Sequence, residues 1–398
     1  MKWQVYPCHF EVNKCENNMK KLISIKVILL SLILLNCTND SDTNEVIEET
    51  ELNIEEQQTE FDRLSMLTFW ADNIIIPSIN SFYVELNSLN EYASSFTSNP
   101  NPSTLTQLRD QWLTTYRKWQ HIEMFDIGVA EEIYFKNRMN IFPANVEKIE
   151  NNISNLEFNL DDSDNFASQG FTALDYLLFG IAQDDDDIIT KYSDSSQNYD
   201  SYMVAITSKM IELTISVKSE WEGSYRDSFV ESTENTATSS INIMLNNFVF
   251  YFEKGYRANK FGIPAGVFSG GPLPDRIEAY NGEIYSQILA LEATTAIENF
   301  FNGIAYGDPN STGLSIKNYL DFIESDVSDK LSARINNQLQ TGKNKINELN
   351  TNFKNQIEEN NNEMLLTYDA IQSTVILLKV DMLQKLNVSV DYADADGD

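Results

Sequence analysis

Glycine and proline number only 15 and 9 in the 398 residues of this chain, where average usage gives roughly 28 and 20. Both are costly inside helices, and turn-rich β proteins consume them at many loops. Their scarcity predicts an all-α fold of long helices. Hydrophobic residues make up 42% of the chain, enough to bury a large core rather than leave a disordered acidic polymer.

The apolar spacing agrees with helix. Leu64, Leu67, Ala71, Ile74 and Ile75 recur at three to four residues. After a loop and N-cap at Asn99-Pro100-Asn101-Pro102-Ser103, a helix runs through Leu105, Leu108, Trp112, Tyr116, Trp119 and Met124 to near Gly128. Others follow Pro143 (Val146, Ile149, Ile153), span Gly170 to Gly180, cover Tyr199 to about Trp221, and fill Ile241 to Asn259. Asp184 to Asp187 read as a solvated loop, since a calcium loop alternates its ligands and turns on a glycine. The segment from Phe261 to Pro274 holds four of the 15 glycines and three of the nine prolines and is the main irregular stretch. Ala279 to Phe301 reads as helix, and Leu331 to Ile357 as one long amphipathic helix. Met364 to Leu386 is apolar around most of its circumference at Val375-Ile376-Leu377-Leu378, which predicts a central buried helix. Trp112, Trp119 and the aromatic stripe at 248–252 are read as core.

The N-terminus reads as an address. Met19-Lys20-Lys21 opens a short apolar stretch, Leu22 to Leu35, interrupted by Ser24, Lys26 and Ser31. It is too short for a comfortable ~20-residue membrane span. It ends in Leu34-Leu35-Asn36-Cys37, which resembles a bacterial lipobox whose cysteine is lipidated. Residues 1–18 then read as a gene-model extension, 19–36 as a lipoprotein signal peptide, and 37–60 as a flexible acidic tether. The expected location is the cell envelope, lipid-anchored at the outer membrane on its periplasmic or surface face.

Charge excludes one partner class and histidine count excludes several chemistries. The formal charge is −32, and since residues 1–36 carry five Lys and two Glu it becomes −35 from Cys37 onward. No basic stripe exists for phosphate, so nucleic acid is excluded, while cations are attracted. Beyond Cys37 the chain has one histidine, His121, and no further cysteine. A zinc site normally takes several His or Cys ligands, and no His-Glu-x-x-His, P-loop or Gly-x-Gly-x-x-Gly is present. The acidic end at Asp391, Asp394, Asp396 and Asp398 lacks a closing Glu and reads as a frayed terminus.

Thr172-Ala-Leu-Asp-Tyr-Leu-Leu-Phe-Gly180 echoes Thr295-Ala-Ile-Glu-Asn-Phe-Phe-Asn-Gly303 at an offset of 123. The echo suggests two related helical-bundle halves packed against each other, 61–235 and 236–398. Thr172 and Asp175 share a helix face. His121 and Glu123, two apart, point to different faces and make no local ligand pair.

Gly170-x-Thr172-x-x-Asp175 before Tyr-Leu-Leu-Phe-Gly resembles the signature of the imelysin family, Gly-x-His-x-x-Glu followed by an apolar helix. Trp112 to Gly128, with Glu123-Met-Phe-Asp-Ile-Gly, is similar to that family's Trp…Glu-x-Phe-x-x-Gly helix. Lys260-x-Gly-Ile-Pro-x-Gly, Ile277-Glu278-Ala279-Tyr280, Asn318-Tyr319-Leu320 and Lys379-Val-Asp-Met382 resemble imelysin-like lipoproteins of Bacteroidetes type. The resemblance implies two helical bundles with a site near their junction at Glu123, Gly170, Thr172 and Asp175, Glu123 being otherwise a surface carboxylate. Arg257 and Lys260 read either as contacts to those carboxylates at the junction or as an ordinary surface pair. It also implies a binding or accessory role in iron or haem acquisition, with uptake proteins as partners. A metallopeptidase, after the insulin-cleaving activity that named the family, and a structural envelope protein without a small ligand are the alternatives. The family's His and Glu are here Thr172 and Asp175. Loss of the imidazole removes the best nitrogen ligand for zinc or haem iron. The oxygens of Thr172, Asp175 and Glu123 suit iron(III), calcium or magnesium, or a hydrogen-bonded organic ligand.

Overall fold

Two three-helix packings form where the apolar stripes predict them. The structure, a computed structural model, describes residues 60–391 except 157 and 283. The extension, the signal segment, Cys37, the tether up to residue 59 and the last acidic residues lie outside the described residues. Every described residue falls in one compact unit.

In the first packing the Ile76–Ser98 helix lies against Pro102–Trp119 and Tyr199–Trp221. Asn101 starts the second of these with a capping box, its side chain accepting from the amides of Ser103 and Thr104. In the second packing the Phe353–Ile376 helix lies against Leu331–Glu348 and against a wide, π-type stretch at Tyr251–Gly262. The Ser286–Asn302 helix touches both Leu331–Glu348 and Pro102–Trp119, so one core runs through. Trp70, Trp112, Trp119 and Trp221 are fully buried. Tyr116 stacks on Phe171 with ring centroids 4.2 Å apart and planes 4° from parallel. Each such side chain contributes on the order of 2–3 kcal/mol by leaving water, which makes these tryptophans, Tyr116 and Phe171 core, whereas Phe250 and Tyr251 of the 248–252 stripe border a cavity. A coil over 232–239 joins the Ser224–Glu231 and Ser240–Phe250 helices. A two-stranded antiparallel hairpin, Ile304–Ala305 with Asp308–Thr312, is the strand structure among the described residues. No helix among them is long and apolar enough to cross a membrane.

Several expectations shift. The helix through Trp112 ends at Trp119, and 120–124 form turns. Asp185–Ser193 is a helix with Asp184 as its cap, so three aspartates occupy a first turn, where the helix dipole favours negative charge. The stretch from Leu331 to Ile357 is two helices, because Asn352 caps a new one at Phe353. Residues 279–282, 284 and 285 are not helical, and the helix begins at Ser286. The last helix buries one face only: Val375 and Leu378 are buried, while Ile376 and Val380 are more than half exposed.

Candidate functional site

Gly170 opens the Gly170–Asp175 helix with a φ of +75°, and a Cβ there would sit 2.2 Å from the Met139 carbonyl oxygen. Only glycine reconciles that backbone with so close an approach. The helix is thereby pressed onto the chain at 139–142, just ahead of the cis Phe142–Pro143 bond. Thr172 then donates its hydroxyl to the Ile141 carbonyl at 2.6 Å. Asp175 reaches the other way: its carboxylate accepts from the Asn281 amide N–H and side-chain amide, both at 2.9 Å, and from the Gly282 N–H at 2.8 Å. The three motif residues therefore form a clamp between 139–142 and 281–282. Burial pushes the Asp175 carboxyl up to about 6, against the downward pull of those donors.

A cavity of about 290 Å³ lies over this clamp, walled by Phe142, Pro143, Ile277 and Tyr280, with Thr172 and Asp175 in its lining. Glu123 is not in that lining. It belongs to a second cavity of about 410 Å³, lined also by Lys136, Asn140, Phe250, Tyr251 and Lys254. Phe142 lines both. The structure thus brings Thr172 and Asp175 together and sets Glu123 across Phe142 from them. The expected oxygen-ligand set of all three is not assembled, and among the described residues no group of three or more His, Cys, Asp or Glu is placed to hold a metal ion.

Glu123 is buried, not a surface carboxylate. It sits at the edge of a polar network in the core. Lys260, 2% exposed, pairs through Nζ with Glu278 Oε2 at 2.5 Å and donates to Gln120 Oε1 at 2.9 Å. Gln120 and Asn140 donate in turn to Glu278 Oε1 at 3.1 and 2.9 Å. Tyr116 donates to Asn140 Oδ1 at 2.5 Å. Glu123 receives one long contact on Oε1, 3.5 Å from Asn140 Nδ2, and its Oε2 is buried with no hydrogen-bond partner. The Tyr251 hydroxyl lies beside it without meeting hydrogen-bond geometry. Burial pushes the Glu123 carboxyl up to about 7: Lys260 pulls it down, and the nearby Glu278 charge adds to the rise. One carboxylate of the cluster is saturated and the other is left open.

The remaining candidates separate. Lys260 joins this network, whereas Arg257 donates to the Tyr368 hydroxyl at 2.8 Å and to Gln372, beside Glu253. Both are buried, so neither is a surface ion pair. His121 leaves the cluster and contacts Glu292 Oε1 through Nε2 at 2.7 Å. Cys37 lies outside the described residues. Sequence reasoning missed Glu278, Gln120, Asn140 and Tyr251 as partners. The one available signal was the charged Glu278 within Ile-Glu-Ala-Tyr, a buried-type context for a carboxylate.

Residues 75–379 match the family model described as imelysin. A search of the curated proteins finds no match. Among solved structures, an imelysin-like protein from Psychrobacter arcticum 273-4 superposes with a TM-score of 0.65 at 14% identity, covering 83% of this chain and 97% of that one. A protein provisionally named an iron-regulated protein A precursor, from Parabacteroides distasonis ATCC 8503, gives 0.67 at 16% identity with the same coverages, 83% and 97%. At these identities the two likenesses speak for the fold.

Proposed function

The chain belongs to the imelysin family, and from that premise we propose that it is a binding protein of the cell envelope serving iron acquisition, not a peptidase. One observation carries the reading. The two residues standing where the family signature has His and Glu are spent on neighbouring segments of the chain: Thr172 on the Ile141 carbonyl, Asp175 on two backbone N–H groups and the Asn281 side-chain amide. A hydrolytic metal needs ligands with free lone pairs and a base within reach of the attacking water. In the clamp the Asp175 oxygens already accept three N–H donors and the Thr172 hydroxyl is aimed at the Ile141 carbonyl, whereas the cavity at Glu123 offers an open acceptor in a walled space, the usual make-up of a ligand pocket.

The iron assignment is supported by the name of the Parabacteroides protein of the same fold and by an acidic surface that draws cations. The lipobox-like Leu-Leu-Asn-Cys37 supports anchoring to the outer membrane, where uptake proteins for iron or haem would be its partners. The deciding experiment assays the purified chain for peptide cleavage and metal content together. No cleavage is expected. Stoichiometric zinc with cleavage abolished by Asp175→Ala would refute the reading. A deletion strain that grows normally under iron starvation would remove the iron assignment. Cys37→Ser is expected to release the protein from the membrane fraction, and its retention there would remove the anchor.

A further inference from the structure

The Glu123 cavity is lined by groups of both charges and by apolar side chains. Its lining carries Glu123, 5% exposed, with Oε2 unpartnered and the Tyr251 hydroxyl beside it. Behind them Lys260 is shared by two carboxylates, Glu123 and Glu278, and it bonds the second directly. Lys136 also acts on Glu123 but is paired with Asp126, so carboxylates outnumber ammonium groups around Glu123, which calls for a hydrogen-bond donor carrying positive charge. The lining also holds two ammonium groups nearer to solvent: Lys136, 22% exposed and paired with Asp126 at 2.9 Å, and Lys254, 20% exposed and paired with Glu253 at 3.1 Å. An ammonium group has three donors, so the ion pair of Lys136 with Asp126 leaves room for a further acceptor. The apolar side chains of Ile141, Phe142 and Phe250 share the lining.

The local sequence keeps this shape. Gly255, one turn beyond Tyr251, would put a Cβ 2.7 Å from the Tyr251 ring. Glycine there lets the ring lie back along its own helix, with the hydroxyl at Glu123. A lone small cation would satisfy Glu123 and leave the lysine and the apolar side chains without a role. An anion would satisfy the lysine and be repelled by Glu123.

We propose that this cavity binds a small zwitterion of the α-amino acid class, its ammonium group on Glu123 Oε2 and the Tyr251 hydroxyl, its carboxylate toward Lys136, and its side chain against Phe142 and Phe250. The proposal rests on the reading of the chain as a binding protein and adds the class of ligand. It involves no bond making or breaking.

The test is calorimetric titration of the purified chain with each of the twenty amino acids. It continues with the decarboxylated amine and the deaminated acid corresponding to the best binder. Saturable one-to-one binding is expected, weakened at least tenfold in both analogues, at least tenfold in Glu123→Gln, and less in Tyr251→Phe. Thermal melts establish that each variant is folded. Lys136→Gln is expected to weaken the amino acid while leaving the amine unchanged. Absence of binding by all twenty overturns the proposal, as does an amine that binds as tightly as its amino acid, or an amino acid that binds Glu123→Gln undiminished. Peptide cleavage measured on the same preparation keeps the two claims apart: cleavage sinks the binding-protein reading, whereas no cleavage and no amino acid binding sinks the zwitterion alone.

Discussion

Replacing Glu123 by glutamine should stabilise the ligand-free protein at alkaline pH and change little at acid pH. Its carboxyl ordinarily titrates at 4.5 and in the folded protein is pushed up to about 7 by burial, with Lys260 opposing and Glu278 reinforcing the rise. The folded value is the higher one, so between those two pH values the folded state holds a proton that the unfolded state has lost. Stability therefore falls as pH rises through that window, and the full penalty is present by pH 8. A difference of this size corresponds to about 3 kcal/mol. Glutamine keeps the shape and removes the charge, so E123Q lacks the penalty. With an unfolding entropy of about 2 cal/mol/K per residue over roughly 330 ordered residues, the gain amounts to about 4 °C in Tm. The assay is a pair of thermal melts, E123Q against the parent, at pH 8 and pH 4.5. The expected difference is about 4 °C at pH 8 and less than about 1 °C at pH 4.5. Other titrating groups are common to both proteins and cancel. Equal differences at the two pH values, or a less stable E123Q at pH 8, would show that the buried oxygen is compensated and would refute the reasoning.

Three further substitutions probe the clamp and the network. Gly170→Ala places a Cβ 2.2 Å from the Met139 carbonyl oxygen at a φ of +75°; a loss of at least about 3 kcal/mol is expected in urea unfolding, and a parent-like midpoint would contradict it. Asp175→Ala strips the acceptor from the Asn281 and Gly282 N–H groups, which at about 1–3 kcal/mol per buried unsatisfied donor should lower stability by about 3 kcal/mol and speed amide exchange at 281–282. Lys260→Met leaves Glu278 buried without its countercharge; a loss of about 3–5 kcal/mol is expected, and a Lys260→Met, Glu278→Gln double variant should recover a large part of it.

The helices were legible where the cause is local. Tyr199–Trp221 follows its apolar spacing from end to end, and the capping box at Asn101 needs only residues 101–104. Local signals were also present, though misjudged, at Asp184 and Asn352, which cap helices that periodicity alone treated as loop or as continuous. The displaced start at Ser286 is different in kind. Asp175 and Asn281 are 106 residues apart, and the bonds between them draw 281–282 into a turn that no feature of 279–285 announces. The motif residues could be named from sequence, but their roles could not, because each acts on backbone from a remote segment.

By itself the sequence determined a helical protein: few glycines and prolines, apolar stripes at helical spacing, one histidine and no cysteine beyond Cys37, and hence little means of holding a soft metal. Those properties belong to single residues and their near neighbours. Only the tertiary structure decided which carboxylate stays open. Glu123, Thr172 and Asp175 carry equivalent oxygen chemistry in the sequence. Asp175 meets three N–H groups from 281–282, and Glu123 meets a cavity, a long contact from Asn140 and the shared charge of Lys260. A carboxylate's reactivity is set by its water, its donors and its neighbouring charges. Here folding supplies all three from distant parts of the chain.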